Sequence, residues 1–320
     1  MNDVLQKIAN VGIVPVVKLD TPEQALPLGK ALIAGGLPVA EVTFRTDAAE
    51  ESIKRLSKEL PELLIGAGTV TTVDQAKRAV AAGAKFLVSP GFNPAVVKYC
   101  ADNGIPITPG MNSPSQIEQG LEMGLSVLKF FPAEQSGGLE MLKAFAGPYG
   151  SIKYIPTGGI GTKNMVDYLS FPKVLAVGGS WMVKPELIAA GKYDEITRLC
   201  REAVMTALGF ELRHLGVNDP DERTALADAQ KMESLFGFAV KQGNSSNFAG
   251  TGFEFMKAPY LGRNGHIALS TVNVDRAAAF LAGKGIAVRA ETEKRDPSGA
   301  LTAVYIDIEI GGFAIHLVKK

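Results

Sequence analysis

Residues 12–44 read GIVPVVKLDTPEQALPLGKALIAGGLPVAEVTF, and this stretch decides the fold. A β-rich run from Gly12, GIVPVVKL, gives way to TPEQALPLGKALIAGG, which has helical spacing, opens on the capping candidate Thr21 and closes on glycine. A second β-rich run, PVAEVTF, follows from Pro38. The unit is a strand, a crossover helix and a second strand, and it is too long for a hairpin. It recurs along the chain: LLIGAGTV starts at Leu63, FLVSP at Phe86, IPITPGM at Ile105, SVLKFFPA at Ser126, KYIPTGGI at Lys153 and VLAVGGSW at Val174, with helical segments between them. Strands rich in Val, Ile and Leu that are apolar on both faces belong to a parallel sheet covered by helices. Eight units predict an α/β fold, a (β/α)8 TIM barrel over residues 1–208. An open doubly wound sheet is the alternative, but it usually has fewer strands, and the first βα turn is no G-x-G-x-x-G.

The chain has 320 residues, enough for about two domains at ~150 residues each. Lys+Arg and Asp+Glu both number 33, so no positive field exists to attract a nucleic acid. Apolar residues make up 46% and charged residues 21%, a globular mixture that excludes disorder. The segment MNDVLQKIANVG does not resemble a targeting signal, and no run approaches the ~18 apolar residues of a membrane span. A cytoplasmic protein without membrane association is expected. Cys100 and Cys200 lack C-x-x-C spacing and read as core thiols.

In such a barrel the chemistry sits at the carboxyl ends of the strands, where the βα loops converge. Alternation with period two puts Glu41, Thr43 and Arg45 on the inner face of the second strand, with Val42 and Phe44 outside. Charges facing a barrel axis must pair with each other or with a ligand, so a structural Glu41–Arg45 pair is one reading and a substrate site the other. The same rule places Lys129 and Phe131 inside on the sixth strand. Desolvation and a nearby Arg45 would both disfavour the Lys129 ammonium and expose an amine nucleophile; snorkelling of Lys129 out of the barrel is the alternative. PTGGI (Pro156 to Ile160) and VGGSW (Val177 to Trp181) bring paired glycines after the last two strands, with Thr157 and Ser180 beside them. Such glycines let backbone N–H groups approach a phosphate. Thr69, Pro90, Pro109 and Gly110 would shape the rim. No histidine occurs in the first 213 residues, so base work falls to Glu41, and no ligand cluster supports a metal-dependent aldolase.

EVTFRT (Glu41 to Thr46), GAGTV (Gly66 to Val70), SPG (Ser89 to Gly91), KFFPAE (Lys129 to Glu134), PTGG (Pro156 to Gly159) and GGSW (Gly178 to Trp181) resemble, in order and spacing, the KDPG/KHG aldolase family. These are lysine-dependent aldolases for 2-keto-3-deoxy-6-phosphogluconate and 4-hydroxy-2-oxoglutarate. The resemblance implies that Lys129 forms the imine and that Glu41 shuttles protons. It implies that Arg45 and Thr69 hold the pyruvoyl carboxylate, that Phe131 packs beside the imine, and that Pro90 and Thr157 line the substrate. Gly158, Gly159, Gly179 and Ser180 then cradle the phosphate, with Lys18 where many relatives carry arginine. It implies a homotrimer and no cofactor for the aldol reaction. The alternatives are the epimeric substrate 2-keto-3-deoxy-6-phosphogalactonate, a phosphate-binding barrel isomerase, and a non-catalytic sensor of a sugar acid phosphate.

Beyond residue 208 the pattern changes. FELRHLGVN, a helix in DPDERTALADAQKMESLFGF and strands through GFEFMKAP form one unit. GHIALST, the helix VDRAAAFLAGKGI and strands AVRAETEKR, TAVYIDIEI and GFAIHLVKK form a second. This internal duplication over residues 209–320 is similar to the paired βαβββ modules of the vicinal oxygen chelate (glyoxalase-like) superfamily. The resemblance implies ligands from the first and last strand of each module: His214, Glu254, His266 and His316, with His316 in place of the usual carboxylate. Such a set would hold a divalent metal. A metal-free pocket and a packing module are the other readings.

Overall fold

The computed structural model describes residues 2–320. Its contacts divide into two compact units, one ending at Ala207 and the other running from Leu208 to Lys320.

In the first unit the strands are β1 (Ile13–Val17), β2 (Val39–Thr43), β3 (Leu64–Gly68), β4 (Phe86–Ser89), β5 (Ile107–Met111), β6 (Val127–Phe130), β7 (Lys153–Pro156) and β8 (Val177–Gly179). All pair in parallel, in the order β7-β6-β5-β4-β3-β2-β1-β8, and the bridges Tyr154 to Val174 and Thr157 to Gly178 close the ring. The crossover helices begin as their sequences predict. Thr72 caps Val73–Ala81 by accepting from the Gln75 amide, and Asn93 caps Pro94–Asp102, which has proline in its first turn.

The helix Asp3–Val11 was not anticipated from the sequence. Its buried residues Leu5 and Ile8 pack against Val14, Val39, Phe86, Val88, Val127 and Ile155. Val14, Val39, Phe86 and Val127 are inward residues at the strand beginnings, so the helix plugs the amino-terminal end of the barrel. Two residues further along, the inward positions become Glu41, Lys129 and Thr157. One end of the barrel is thus apolar and sealed, and the other carries the polar groups.

The second unit is one mixed sheet with strands β9 (Glu211–Asn218), β10 (Val240–Gln242), β11 (Ser246–Ala249), β12 (Phe253–Met256), β13 (Gly265–Thr271), β14 (Lys294–Arg295), β15 (Leu301–Ile310) and β16 (Phe313–Lys319). The order β10-β11-β12-β9-β13-β16-β15-β14 has an approximate twofold axis between the antiparallel pair β9 and β13. The helix Glu222–Phe236 lays Ala225 and Ala229 on Ala249 and Phe255, covering one face of the first half. The predicted strand AVRAETEKR is mostly not a strand. It forms a 3-10 turn at Ala290–Thr292 and the two-residue β14, at a sheet edge where its side chains find no second layer to reward alternation.

Candidate active site

Glu41 and Lys129 meet in the polar end of the barrel. The Lys129 Nζ donates to Glu41 Oε1 at 3.3 Å, and both side chains are almost fully buried, at 6% and 4% exposure. Burying two opposite charges costs several kcal/mol per ion, which good geometry only partly repays, so a pair of this kind is poor value as a structural strut. It makes sense where the charges have chemical work. The Lys129 Nζ also lies 5.4 Å from the centre of the Phe131 ring.

Room for the carboxylate comes from β3. Glu41 is in register with Gly66, and a Cβ on Gly68 would lie 2.1 Å from Glu41 Oε1. The signal for Gly68 was present in the sequence as GAG, two glycines on one face of a strand, but only the register says which side chain needs the space. Gly68→Ala is expected to displace the Glu41 carboxylate and lower turnover by ~100-fold while leaving the Lys129 amine in place. Steady-state kinetics check this; an unchanged kcat would mean that the strand simply yields.

Arg45 differs from its sequence expectation. β2 ends at Thr43 and the chain turns, so alternation no longer governs Arg45, which is exposed at the rim and neither pairs with Glu41 nor contacts Lys129 among the described residues. The charge facing Lys129 is therefore the Glu41 carboxylate rather than a guanidinium. The Arg45 Nε donates to Thr69 Oγ1 at 3.1 Å. Thr69 has φ 57°, the one positive value at a non-glycine position among the described residues. A β-branched residue in that region is strained, and strain held at a polar rim points to function.

Thr43 turns its hydroxyl to the Val17 carbonyl at 2.8 Å and is structural. Pro90 is exposed, and its carbonyl crowds Gly110, whose Cβ would stand 2.1 Å from it. Thr157 is buried with its Oγ1 unpartnered, pointing at the close approach of Gly178. Gly158 and Gly159 have φ values of 100° and 79°, which a side chain would oppose. Gly179 lies beneath the Trp181 ring, and Ser180 is exposed beside it. Lys18 pairs with Asp20 at 2.6 Å. Cys100 and Cys200 are buried and unpaired, and burial pushes their thiols up to about 11 and about 12.

The second unit brings all four of its expected residues together. His214 on β9 faces Ala268 and His266 on β13 faces Gly216, while Glu254 on β12 is level with Gly216 and His316 on β16 with Ala268. Each half thus supplies one residue from its first strand and one from its last, on the face opposite the helix Glu222–Phe236. The His214 and His266 Nε2 atoms are 3.1 Å apart, and they lie 3.0 and 3.1 Å from Glu254 Oε2. Each of the three imidazoles brings one nitrogen within 4.8 Å of the others. Although burial opposes it, hydrogen bonds from His214, His266 and Ser246 hold the Glu254 carboxyl well below the usual carboxylate range. Burial and the neighbouring imidazoles push His316 down to about 3, so it is neutral.

Sequence reading missed the neighbours of this cluster. Tyr305 stacks on His316 with ring centres 4.3 Å apart, and Phe248 meets His214 edge-on. Ser246 Oγ donates to Glu254 Oε1 at 2.5 Å, and a Cβ on Gly216 would strike the His266 ring. The signal for Tyr305 and Ser246 lay in strand pairing across long sequence gaps, which periodicity does not carry.

The family model of KDPG and KHG aldolase matches residues 4–199. The 2-dehydro-3-deoxy-phosphogluconate aldolase of Treponema pallidum is 49% identical over 204 residues, covering 64% of this chain and 97% of that protein. The one from Haemophilus influenzae is 50% identical over 201 residues, covering 63% and 95%. The crystal structure of the KDPG aldolase from Legionella pneumophila, with pyruvate captured as a covalent carbinolamine intermediate, shares 43% identity at a TM-score of 0.61 over 63% of this chain and 98% of that one. Among the described residues no helix is long and apolar enough to cross a membrane. With its parallel barrel and the match over residues 4–199, the chain belongs to the KDPG and KHG aldolase family.

Proposed function

We propose that the first unit is a class I aldolase that cleaves 2-keto-3-deoxy-6-phosphogluconate to pyruvate and glyceraldehyde 3-phosphate, and 4-hydroxy-2-oxoglutarate to pyruvate and glyoxylate. The observation that carries this reading is the buried Lys129–Glu41 pair at 3.3 Å in the polar end of the barrel. Proton transfer from Lys129 to Glu41 leaves a neutral amine, which attacks the substrate ketone; Glu41 then returns that proton to the carbinolamine hydroxyl, which leaves as water, giving a cationic imine and restoring the carboxylate. The imine accepts the electron pair released when the bond between carbons three and four breaks. Glu41, directly or through water, takes the proton from the hydroxyl on carbon four and later returns one to the enamine. Hydrolysis frees pyruvate and restores Lys129. Arg45 and Thr69, joined at the rim, hold the substrate carboxylate, with Pro90 and Thr157 lining the pocket and Phe131 beside the imine.

The phosphate falls to Gly158, Gly159, Gly179 and Ser180. A side chain on Gly159 would meet positive φ and the Glu134 Cγ at 2.5 Å. Gly159→Ala is therefore expected to raise KM for the phosphorylated substrate by ~10-fold, with little change for 4-hydroxy-2-oxoglutarate, in a pyruvate-release assay. The same assay with 2-keto-3-deoxy-6-phosphogalactonate tests the epimeric substrate. A solved KDPGal protein is 22% identical to this chain, which bears on the fold alone. No pyruvate release from any of the three compounds would overturn the reading. The unpaired buried thiols agree with a reducing, cytoplasmic compartment. The homotrimer implied by family resemblance is checked by light scattering.

For the second unit we infer a divalent cation held within the set His214, Glu254, His266 and His316. A triangle of two imidazole nitrogens and one carboxylate oxygen with edges of 3.0 to 3.1 Å cannot be satisfied by its own protons. Each nitrogen carries one proton or one lone pair and the oxygen only accepts, so one edge always sets like against like. A cation satisfies all three lone pairs at once. The aldol reaction uses no such ion.

A further inference from the structure

The glycine loop after β7 is tied down through its carbonyls and left free at its amides. The Ala133 amide donates to the Thr157 carbonyl at 2.8 Å, and the Glu134 amide to the Gly158 carbonyl at 3.1 Å. Asn164, which precedes the helix Met165–Ser170, donates through Nδ2 to the Gly159 carbonyl at 3.1 Å and accepts from the Gly161 amide at 2.9 Å. In a trans peptide the N–H points away from the C=O of the same unit, so three tethered carbonyls turn the Gly158, Gly159 and Ile160 amides away from their tethers. Among the described residues these three amides donate to nothing. Consecutive free N–H groups on one loop are what a bound anion needs.

Glu134 is set in this frame by Tyr168. The Tyr168 hydroxyl, on a buried side chain of the same helix, donates to Glu134 Oε1. Two glycines make room for the pair. A Cβ on Gly159 would lie 2.5 Å from Glu134 Cγ, and one on Gly138 would lie 3.1 Å from the Tyr168 hydroxyl and 3.2 Å from Glu134 Oε1. The stem of Glu134 thus rests against Gly159 while its carboxylate meets Tyr168. Burial and the adjoining carboxylate both push the Tyr168 hydroxyl up, so it keeps the proton it donates. A carboxylate repels a phosphate, so what Glu134 offers the loop is its amide and its stem, and Tyr168 fixes both. Resting on the reading of the first unit as an aldolase for a phosphorylated substrate, we propose that Tyr168, through Glu134, and Asn164, directly on the loop, are positioning residues for the substrate phosphate. They hold the Gly158, Gly159 and Ile160 amides in the arrangement that receives it. The loop is thereby tied to the segment that carries Lys129, five residues before Glu134.

The test compares substrates with and without a phosphate on the full chain, with thermal unfolding showing that each variant is folded under assay conditions. Tyr168→Phe removes one oxygen and keeps the ring. It is expected to raise KM for 2-keto-3-deoxy-6-phosphogluconate by ~5-fold with kcat within ~2-fold of wild type. KM for 4-hydroxy-2-oxoglutarate, and the pyruvate concentration that half-saturates borohydride trapping, should not move. Asn164→Ala should show the same split. Glu134→Gln, which keeps an oxygen for the Tyr168 hydroxyl, should hold KM within ~2-fold of wild type, and Tyr168→Phe should add nothing to Glu134→Ala, because the two act as one unit. An unchanged KM for the phosphorylated substrate in Tyr168→Phe and Asn164→Ala would overturn the proposal. So would a loss shared equally by the compounds with and without phosphate, which marks a merely structural role. A wild type that releases pyruvate from neither substrate would instead remove the aldolase reading itself.

Discussion

Lys129→Ala is expected to abolish borohydride trapping of pyruvate on the protein and to slow aldol cleavage by on the order of 10⁴-fold or more. The substitution removes the amine that pairs with the buried Glu41 carboxylate. It also leaves Glu41 buried without its partner, which for ion pairs of this kind costs ~3–5 kcal/mol. Thermal unfolding must therefore accompany the assay. Lys129→Met keeps the length of the stem, and a folded, inactive Lys129→Met separates lost chemistry from lost stability. Mass spectrometry after reduction gives the decisive readout. An adduct that persists in a folded Lys129 variant, or one on another lysine of the wild type, would sink the assignment.

Glu41→Gln is expected to behave differently. The amide preserves the shape beside Gly68, and water takes the Lys129 proton in place of Glu41, so the imine forms more slowly but trapping survives. Cleavage and enamine protonation lose their proton carrier, and turnover falls by ~100-fold or more. Trapping measured alongside turnover makes the contrast with Lys129→Ala sharp. Wild-type turnover in Glu41→Gln across the pH range would assign proton transfer to water or to another residue. Gly68→Ala, which acts on Glu41 through crowding, should cost no more than Glu41→Gln and far less than Lys129→Ala.

Much of the barrel was legible because its signals are local. The β-rich runs and their capped helices announce a parallel sheet. Period-two alternation placed Glu41 and Lys129 inside, and they are inside. The same rule failed for Arg45, one residue beyond the point where β2 gives way to a turn. It failed again for AVRAETEKR, where an exposed sheet edge does not enforce extended backbone. The helix Asp3–Val11 went unread because its purpose, sealing the barrel floor with Leu5 and Ile8, exists only once eight strands have created a floor. In the second unit family resemblance drew attention to the histidines, but their contacts with Glu254 and Tyr305 appear only in the folded sheet.

The sequence by itself determined that Glu41 and Lys129 point inward, because strand alternation is a property of a few neighbouring residues. The tertiary structure alone decided what those side chains meet. Lys129 and Glu41 are 88 residues apart on strands that three others separate, and closure of the ring brings them to contact. His214, Glu254 and His266 converge because antiparallel pairing across β9 and β13 fixes a register that no local pattern encodes. Contacts between distant segments depend on the whole chain closing on itself, so their partners and distances become readable only after folding.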